Sequence, residues 1–442
     1  MKVTEEDKHS DKTTISNVYE QFTRNIESVE AFFETFKLKA LEEDKSILES
    51  RKSHLENAIL KTFGEEGLKD FLKEIEKEDK KELLKEKKEG KQEEKEEKQE
   101  EKKTDSKEKV PVEKLEDFLY QITKTPKLQD KNFEILSNGA FLILNNHFEY
   151  LFADLLTFHF TTNKEVIEEK NISFSLNELK NYSTVEEAYN DILFREVEKI
   201  LLDLSFDEIK NYFKKLDVSL SENLIDWQLI NEIRERRHLI VHNNSIVNKK
   251  YLSRTGNPFN VEIGNQLEIK ADYLKSSIAE IKLAGIILIM NCWGKWSKDN
   301  VTEAVGELMD LTFELLRANK NDLVLKICEY IDKNIKPRND DEESYILRAK
   351  INNCIALKRL GKDTILNNKL KGIRTSSMSP IFKIAKHLLK NEHKETISLI
   401  NQAIIVDDLM KDDFMEWPLF EDIRLDEEFN ELAIKEFEKN LP

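Results

Sequence analysis

The stretch "LSNGAFLILNNHFEYLFADLLTFHF", Leu136 to Phe160, is apolar on nearly every turn and carries only two acidic residues, Glu149 and Asp154. A helix that is apolar almost all round has to be buried, so this segment is expected to be the central helix of a bundle. The rest of the chain agrees. Its 442 residues include only 11 glycines and 7 prolines, and no stretch alternates as a strand would, so the fold class reads as all-α. Further helical stretches run from Val185 to Leu216, from Glu222 to Val241 and from Ala271 to Trp293, and four such helices can bundle. Within the last, "LAGIILIM" (Leu283 to Met290) is too short to span a bilayer and reads as a buried core helix.

Working outward, the text divides into four stretches, 1–73, 74–109, 110–298 and 299–442. In the first, Ile15, Tyr19, Phe22, Ile26, Val29, Phe33 and Phe36 recur at alternating steps of four and three, a heptad seam. Such a helix packs either on its own domain or against a second copy as a coiled coil. The second stretch, "EIEKEDKKELLKEKKEGKQEEKEEKQEEKKTDSKEK", has almost nothing to bury and reads as a solvated linker or a lone charged helix. The fourth holds short helices in pairs, Val301 to Ala318 with Asp322 to Lys333, then Glu342 to Leu360, Ile381 to Leu389 and Lys394 to Ile405. Their pairing resembles tetratricopeptide-type repeats, with "WPLFEDIRLDEEFNEL" placed as a capping segment.

Composition excludes several functions. A net charge of -17 is wrong for a protein that coats nucleic acid by bulk electrostatics. Locally the sign reverses: between Asn231 and Arg254, six basic residues (Arg234, Arg236, Arg237, Lys249, Lys250, Arg254) face two acidic ones, Glu232 and Glu235. A focused patch of that kind can bind phosphate on an acidic protein. Cys292, Cys328 and Cys354 lie far apart with no C-x-x-C pair, and the polar "MKVTEEDKHSDK" start is not a signal peptide, so a reducing, cytoplasmic setting and no membrane partner are expected. No carboxylate or cysteine cluster has metal spacing and no glycine-rich loop could cradle phosphates, so neither a metal nor another cofactor is expected. His147 and His159, inside the apolar helix, read as core histidines.

The patch contains "RERRHLIVHNNSIVNKKYL", Arg234 to Leu252. Ile230, Ile233, Arg237 and Ile240 share one helical stripe, so Arg237 interrupts an apolar face and needs a partner or a cleft. Glu149 is the candidate partner. His242 follows near the helix end, where the helix dipole favours an imidazolium.

The run from Arg237 to Ser276, including "VHNNSIVNKKYL" and "VEIGNQLEIKADYL", resembles the HEPN family (higher eukaryotes and prokaryotes nucleotide-binding), a four- to five-helix bundle with an R-x(4 to 6)-H motif; the resemblance covers about Val110 to Trp296. Many members are metal-independent endoribonucleases of toxin-antitoxin, abortive-infection and other antiviral defence systems. The resemblance implies Arg237 and His242 as the active pair, His238 as the polar motif residue and Glu149 as a supporting acid. Asn243, Arg236, Arg234 and Lys249 are expected to hold the substrate, RNA. Ser245 stands where glycine is frequent, and Asn244 where one toxin subgroup has a nucleotidylated tyrosine, so control by that route is not expected.

RNA supplies its own nucleophile in the 2′-hydroxyl, so cleavage needs an acid/base group, His242, and a cation on the developing phosphorane, Arg237. Five residues turn the two about 140° apart on a helix, so the site is expected to be completed across a homodimer, with the heptad seam as a further contact. The C-terminal helices are expected to dock a regulatory protein partner, since repeated helix pairs make extended surfaces rather than acid/base pockets. The alternative is a non-catalytic scaffold or a nucleotide- or RNA-binding protein, in which Arg237 and Glu149 form a structural salt bridge and His242 caps a helix.

Overall fold

The computed structural model describes residues 14–86, 131–168, 175–373, 379–392, 396–406, 408–425 and scattered positions from 431 to 438. Among these the chain is helical, with no strand and one isolated antiparallel bridge, between Ile246 and Gln266. None of the described helices is long and apolar enough to cross a membrane. The main ones are α1 (Ile15–Glu86), α2 (Asn132–Thr162), α3 (Val185–Asp203), α4 (Phe206–Lys215), α5 (Trp227–Asn243), α6 (Lys249–Thr255) and α7 (Ala271–Trp296). After them come α8 (Val301–Arg317), α9 (Asn321–Asn334), α10 (Asp340–Arg359), α11 (Asp363–Gly372), α12 (Pro380–Leu389) and α13 (Thr396–Ile405). Of the charged stretch 74–109, residues 74–86 continue α1; residues 87–109, and the first part of the expected bundle, 110–130, lie outside the described residues.

Local chemistry sets the boundaries, and in two places it moves them from the expected positions. The stretch from Val185 to Leu216 is two helices. Ser205 accepts from the Glu208 amide while the Glu208 carboxylate accepts from the Ser205 amide, a reciprocal cap that starts α4 afresh. Likewise α5 begins at Trp227 and not at Glu222, because the Asp226 carboxylate accepts from the amides of Gln228 and Leu229.

The chain forms two compact units, residues 1–30 with 140–442, and residues 31–139. In the second, the Asp44 carboxylate accepts from the amides of Asn132 and Phe133 at 2.8 and 2.9 Å, satisfying donors at the start of α2 that have no partner within the helix. Burial raises its pKa, but the bonds from Phe133 and Asn132 outweigh that, leaving it below the usual carboxylate value. At Gly64 (φ 72°, ψ -173°) α1 leaves helical geometry, which glycine allows at little steric cost.

In the first unit α7 is the core helix, and every residue from Leu283 to Cys292 except Asn291 is buried. The N-terminal part of α1 lies on it. A Cβ on Gly285 would stand 2.1 Å from the Phe22 ring, so the missing side chain is what admits Phe22. Tyr19 meets Trp293 edge-on at 6.4 Å, and Lys282, only 3% exposed, reaches Glu27 at 2.7 Å. Six of the seven seam residues are thus buried by the chain itself, Phe36 alone being exposed. Of the two expected readings the helix thus packs on its own chain, which corrects the expectation of a seam offered to a second copy: Phe22 lies against Gly285, and in the second unit Phe33 meets Phe133.

The C-terminal helices fall in the same compact unit. α8 and α9 pack on α7, α10 packs on both, and α12 packs on α10 and α13. Lys326 pairs with Glu280 and the Tyr330 hydroxyl donates to Asn291 at 2.9 Å, tying α9 to α7. Glu342 is fully buried, held by Arg338 and Thr302, and the Arg338 guanidinium brings its pKa down to about 2. In the tail, the Trp417 indole donates to Asn352, whose amide donates to Thr312, so "WPLF" closes over the array.

The Phe22 seat makes a direct forecast. Gly285→Ala should lower stability by about 1–3 kcal/mol through overpacking, although alanine is the better helix former. Adding Phe22→Leu should recover part of the loss; chemical unfolding of the single and double variants measures the coupling.

Candidate functional site

α5 carries the motif, and its direction of roll decides which residues meet solvent. Glu232 and Arg236 are four residues apart and so share one face. In the structure both point inward, Glu232 fully buried and Arg236 5% exposed. One Glu232 oxygen accepts from Arg236 Nε at 2.8 Å and from the Tyr251 hydroxyl at 2.6 Å; the other accepts from the Tyr273 hydroxyl at 2.6 Å. The Arg236 guanidinium lies 3.8 Å over the Tyr273 ring. Burial, together with the bonds to Glu232, pushes both tyrosine hydroxyls well above their ordinary pKa. This cluster joins α5 to α6 and α7. It also corrects one expectation: Arg236, read as a substrate contact, is committed inside the bundle and has almost no surface to offer a phosphate.

With that face inward, Arg234 and Arg237 turn toward α2. Glu149 stands 3.3 Å from Arg234 and 3.9 Å from Arg237, so the one carboxylate serves both guanidinium groups. Arg234 also lies 4.4 Å over the Phe206 ring. Burial lowers the Arg234 pKa, Glu149 opposes this, and Arg237 adds to the lowering. Arg237 is half-buried with its Nε enclosed and without a hydrogen-bond partner.

His238 and His242 occupy the exposed side, their rings stacked at 5.8 Å with planes 29° apart. Desolvation of the ring lowers the His238 pKa from the ordinary imidazole value; Glu235 opposes this, and Arg237, Arg234 and His242 reinforce it. A histidine kept neutral near pH 7 can accept a proton.

The helix runs through His242 to Asn243 and stops because Asn244 (φ 47°) and Ser245 (φ 63°) enter the left-handed region. Ser245 therefore adopts the conformation glycine takes most easily, at a cost of roughly 1–2 kcal/mol. Its amide donates to Leu239, and its carbonyl accepts from Leu267, closing the bridge beside Ile246 and Gln266. Asn243 donates to the Ile246 carbonyl and braces this turn. Asn248 caps α6, whose first residue, Lys249, is exposed.

The structure thus brings Arg234, Arg237 and Glu149 together, places His238 and His242 beside them, and removes Arg236. Sequence reasoning missed Glu232, Tyr251, Tyr273 and Phe206. The Glu-x-x-x-Arg spacing of 232 and 236 was the available signal, since an i, i+4 ion pair reads equally well as buried or exposed. Of the two core histidines, His159 is buried and stacks on Trp296 at 4.5 Å, while His147 is half-buried. Surface concavities of about 620 and 780 Å³ are lined by α3, α4 and the segment before α5, away from the histidine pair, which stands exposed on the outer face of α5. Among the described residues no group of three or more His, Cys, Asp or Glu could hold a metal ion. No protein-family model, curated protein or solved structure matches the chain.

Breaking the buried pair on one side leaves an uncompensated charge. Glu232→Ala should cost roughly 3–5 kcal/mol of unfolding free energy, whereas Glu149→Ala, at a partly exposed pair, should cost far less. Urea denaturation of the two variants compares them.

Proposed function

We propose that the chain is a metal-independent endoribonuclease resembling the HEPN family, with Arg237 and His242 as its active pair and His238 as an auxiliary. The observation that carries this reading is the stacked, exposed His238–His242 pair directly beside a half-buried Arg237 with an unsatisfied Nε. Imidazoles near neutrality move protons, and a guanidinium favours the charge that develops on a phosphorane. His242 takes the proton of the 2′-hydroxyl as that oxygen attacks phosphorus, and the 5′-oxygen leaves with a proton from a second acid. The products are a 2′,3′-cyclic phosphate and a 5′-hydroxyl.

In-line displacement needs base and acid on opposite sides of phosphorus. Two rings stacked on one helix face approach from the same side, so His238 does not supply both functions with His242. The second acid comes from another copy: two α5 strips face one cleft in a homodimer, as the resemblance implies. The resemblance implies a prokaryotic toxin or antiviral defence effector, and the scattered cysteines without a C-x-x-C pair agree with a cytoplasmic one. The helical array α8–α13 then serves as the docking surface for a regulatory protein.

A second reading, an RNA-binding scaffold without catalysis, has one observation in its favour: Glu149 already neutralises part of the charge on both arginines. One experiment separates them. RNA incubated with the wild type in EDTA should be cut to 2′,3′-cyclic phosphate and 5′-hydroxyl ends, while His242→Ala and Arg237→Ala, folded by circular dichroism, should leave it intact. Binding without cleavage by the wild type would favour the scaffold; equal cleavage by all three would remove the assigned residues.

A further inference from the structure

One exposed aromatic beside the candidate site has no role in its acid/base chemistry. Tyr150 directly follows Glu149 on α2 and is 58% exposed. Its ring meets His147 edge-on, with centroids 6.2 Å apart and planes at 70°, a contact that steadies the ring while leaving most of it open. Exposed tyrosines are ordinary on protein surfaces, so its meaning depends on where it stands relative to α5.

The aromatic contacts give that relation. Near the start of α2, Phe141 meets Tyr273, the ring beneath Arg236 late in α5. Further along α2, Phe152 meets Phe206, which meets Trp227 at the start of α5. Low numbers on α2 therefore lie opposite high numbers on α5, and the two helices run antiparallel, with Glu149 meeting Arg234 and Arg237 between them. Each residue turns about 100° from the one before it. Tyr150 follows Glu149 by one step and His238 follows Arg237 by one step, and on antiparallel neighbours these equal steps open to the same side of the pair. Tyr150 and the histidine strip consequently lie on one side of the helix pair, next to Glu149 and its two arginines. Glu149 reaches Arg234 and Arg237 across the pair at 3.3 and 3.9 Å, so a short stretch of extended single strand can lie along both.

We propose that Tyr150 stacks an unpaired base of the RNA while the adjacent phosphate lies against Arg234 and Arg237. The proposal deepens the ribonuclease reading and rests on it. A π-face attracts any base and a paired base has none to offer, whereas the arginines hold backbone without regard to sequence. The charge arrangement fits the same occupant: Arg234, Arg237 and a histidine pair stand on this side, against Glu149, which holds both arginines, and Glu235, which acts on Arg234 and His238 but is itself paired with Arg254.

The test uses the full chain carrying His242→Ala, to prevent cleavage, and a fluorescein-labelled single-stranded RNA of mixed sequence, alone or annealed to its complement. Adding Tyr150→Ala should weaken single-strand binding roughly tenfold, as loss of one base stack does, while Tyr150→Phe binds like the parent. The slope of affinity against salt should stay unchanged in Tyr150→Ala and fall in Arg234→Ala, because only the latter loses a phosphate contact. Unchanged single-strand affinity in Tyr150→Ala, or duplex bound as tightly as single strand, overturns the proposal. If the wild type fails to cut RNA but binding still depends on Tyr150, the ribonuclease reading falls and the stacking site stands. If cleavage needs His242 but not Tyr150 binding, the reverse holds.

Discussion

The buried Glu232–Arg236 pair fixes the rotational phase of α5, and the candidate site is a consequence of that phase. A carboxylate and a guanidinium taken out of water are tolerable only when their remaining hydrogen-bonding capacity is met. Tyr251 from α6 and Tyr273 from α7 meet it for Glu232, and the Tyr273 ring covers the guanidinium. Rolling α5 by even one residue would leave two charges buried without partners. With the roll fixed, helical spacing does the rest: Arg234 and Arg237 fall within reach of one glutamate on α2, and His238 and His242, one turn apart, stack in solvent.

The same unit is tied together at its other end by a steric constraint. Gly285 gives up its side chain so that Phe22 can lie against α7, and Lys282 and Lys320 reach the acidic residues Glu27 and Glu30 on α1. The helix that supports the candidate site through Tyr273 is thus also the one that receives the N-terminal helix and the C-terminal array.

Much of this was legible in the sequence, and the failures have physical causes. The all-α class, the buried run from Leu283 to Met290 and the break after His242 follow from scarce glycine and proline, an apolar run and "HNNS". Glu149 could be named as the acid near Arg237 because few charges stand on an otherwise apolar helix. What sequence could not decide was which of three arginines points inward, since Arg236 gains its burial from tyrosines 15 and 37 residues downstream, at 251 and 273. Nor could it decide what covers the heptad seam, because the answer depends on the absence of a side chain at Gly285, in a helix more than 250 residues away. The split at Ser205 was readable from "SFDE" and was outweighed by helical periodicity on both sides.

As proposed, one α5 strip is half of an RNA-cleaving site that a second copy completes. The most direct measurement holds wild-type protein at fixed concentration, titrates in folded His242→Ala chain, and follows the initial rate on a 5′-labelled single-stranded RNA after subunit exchange. A composite site predicts that the rate falls toward zero as mixed dimers replace wild-type ones. A rate that stays constant, set by the wild-type chain alone, would contradict it.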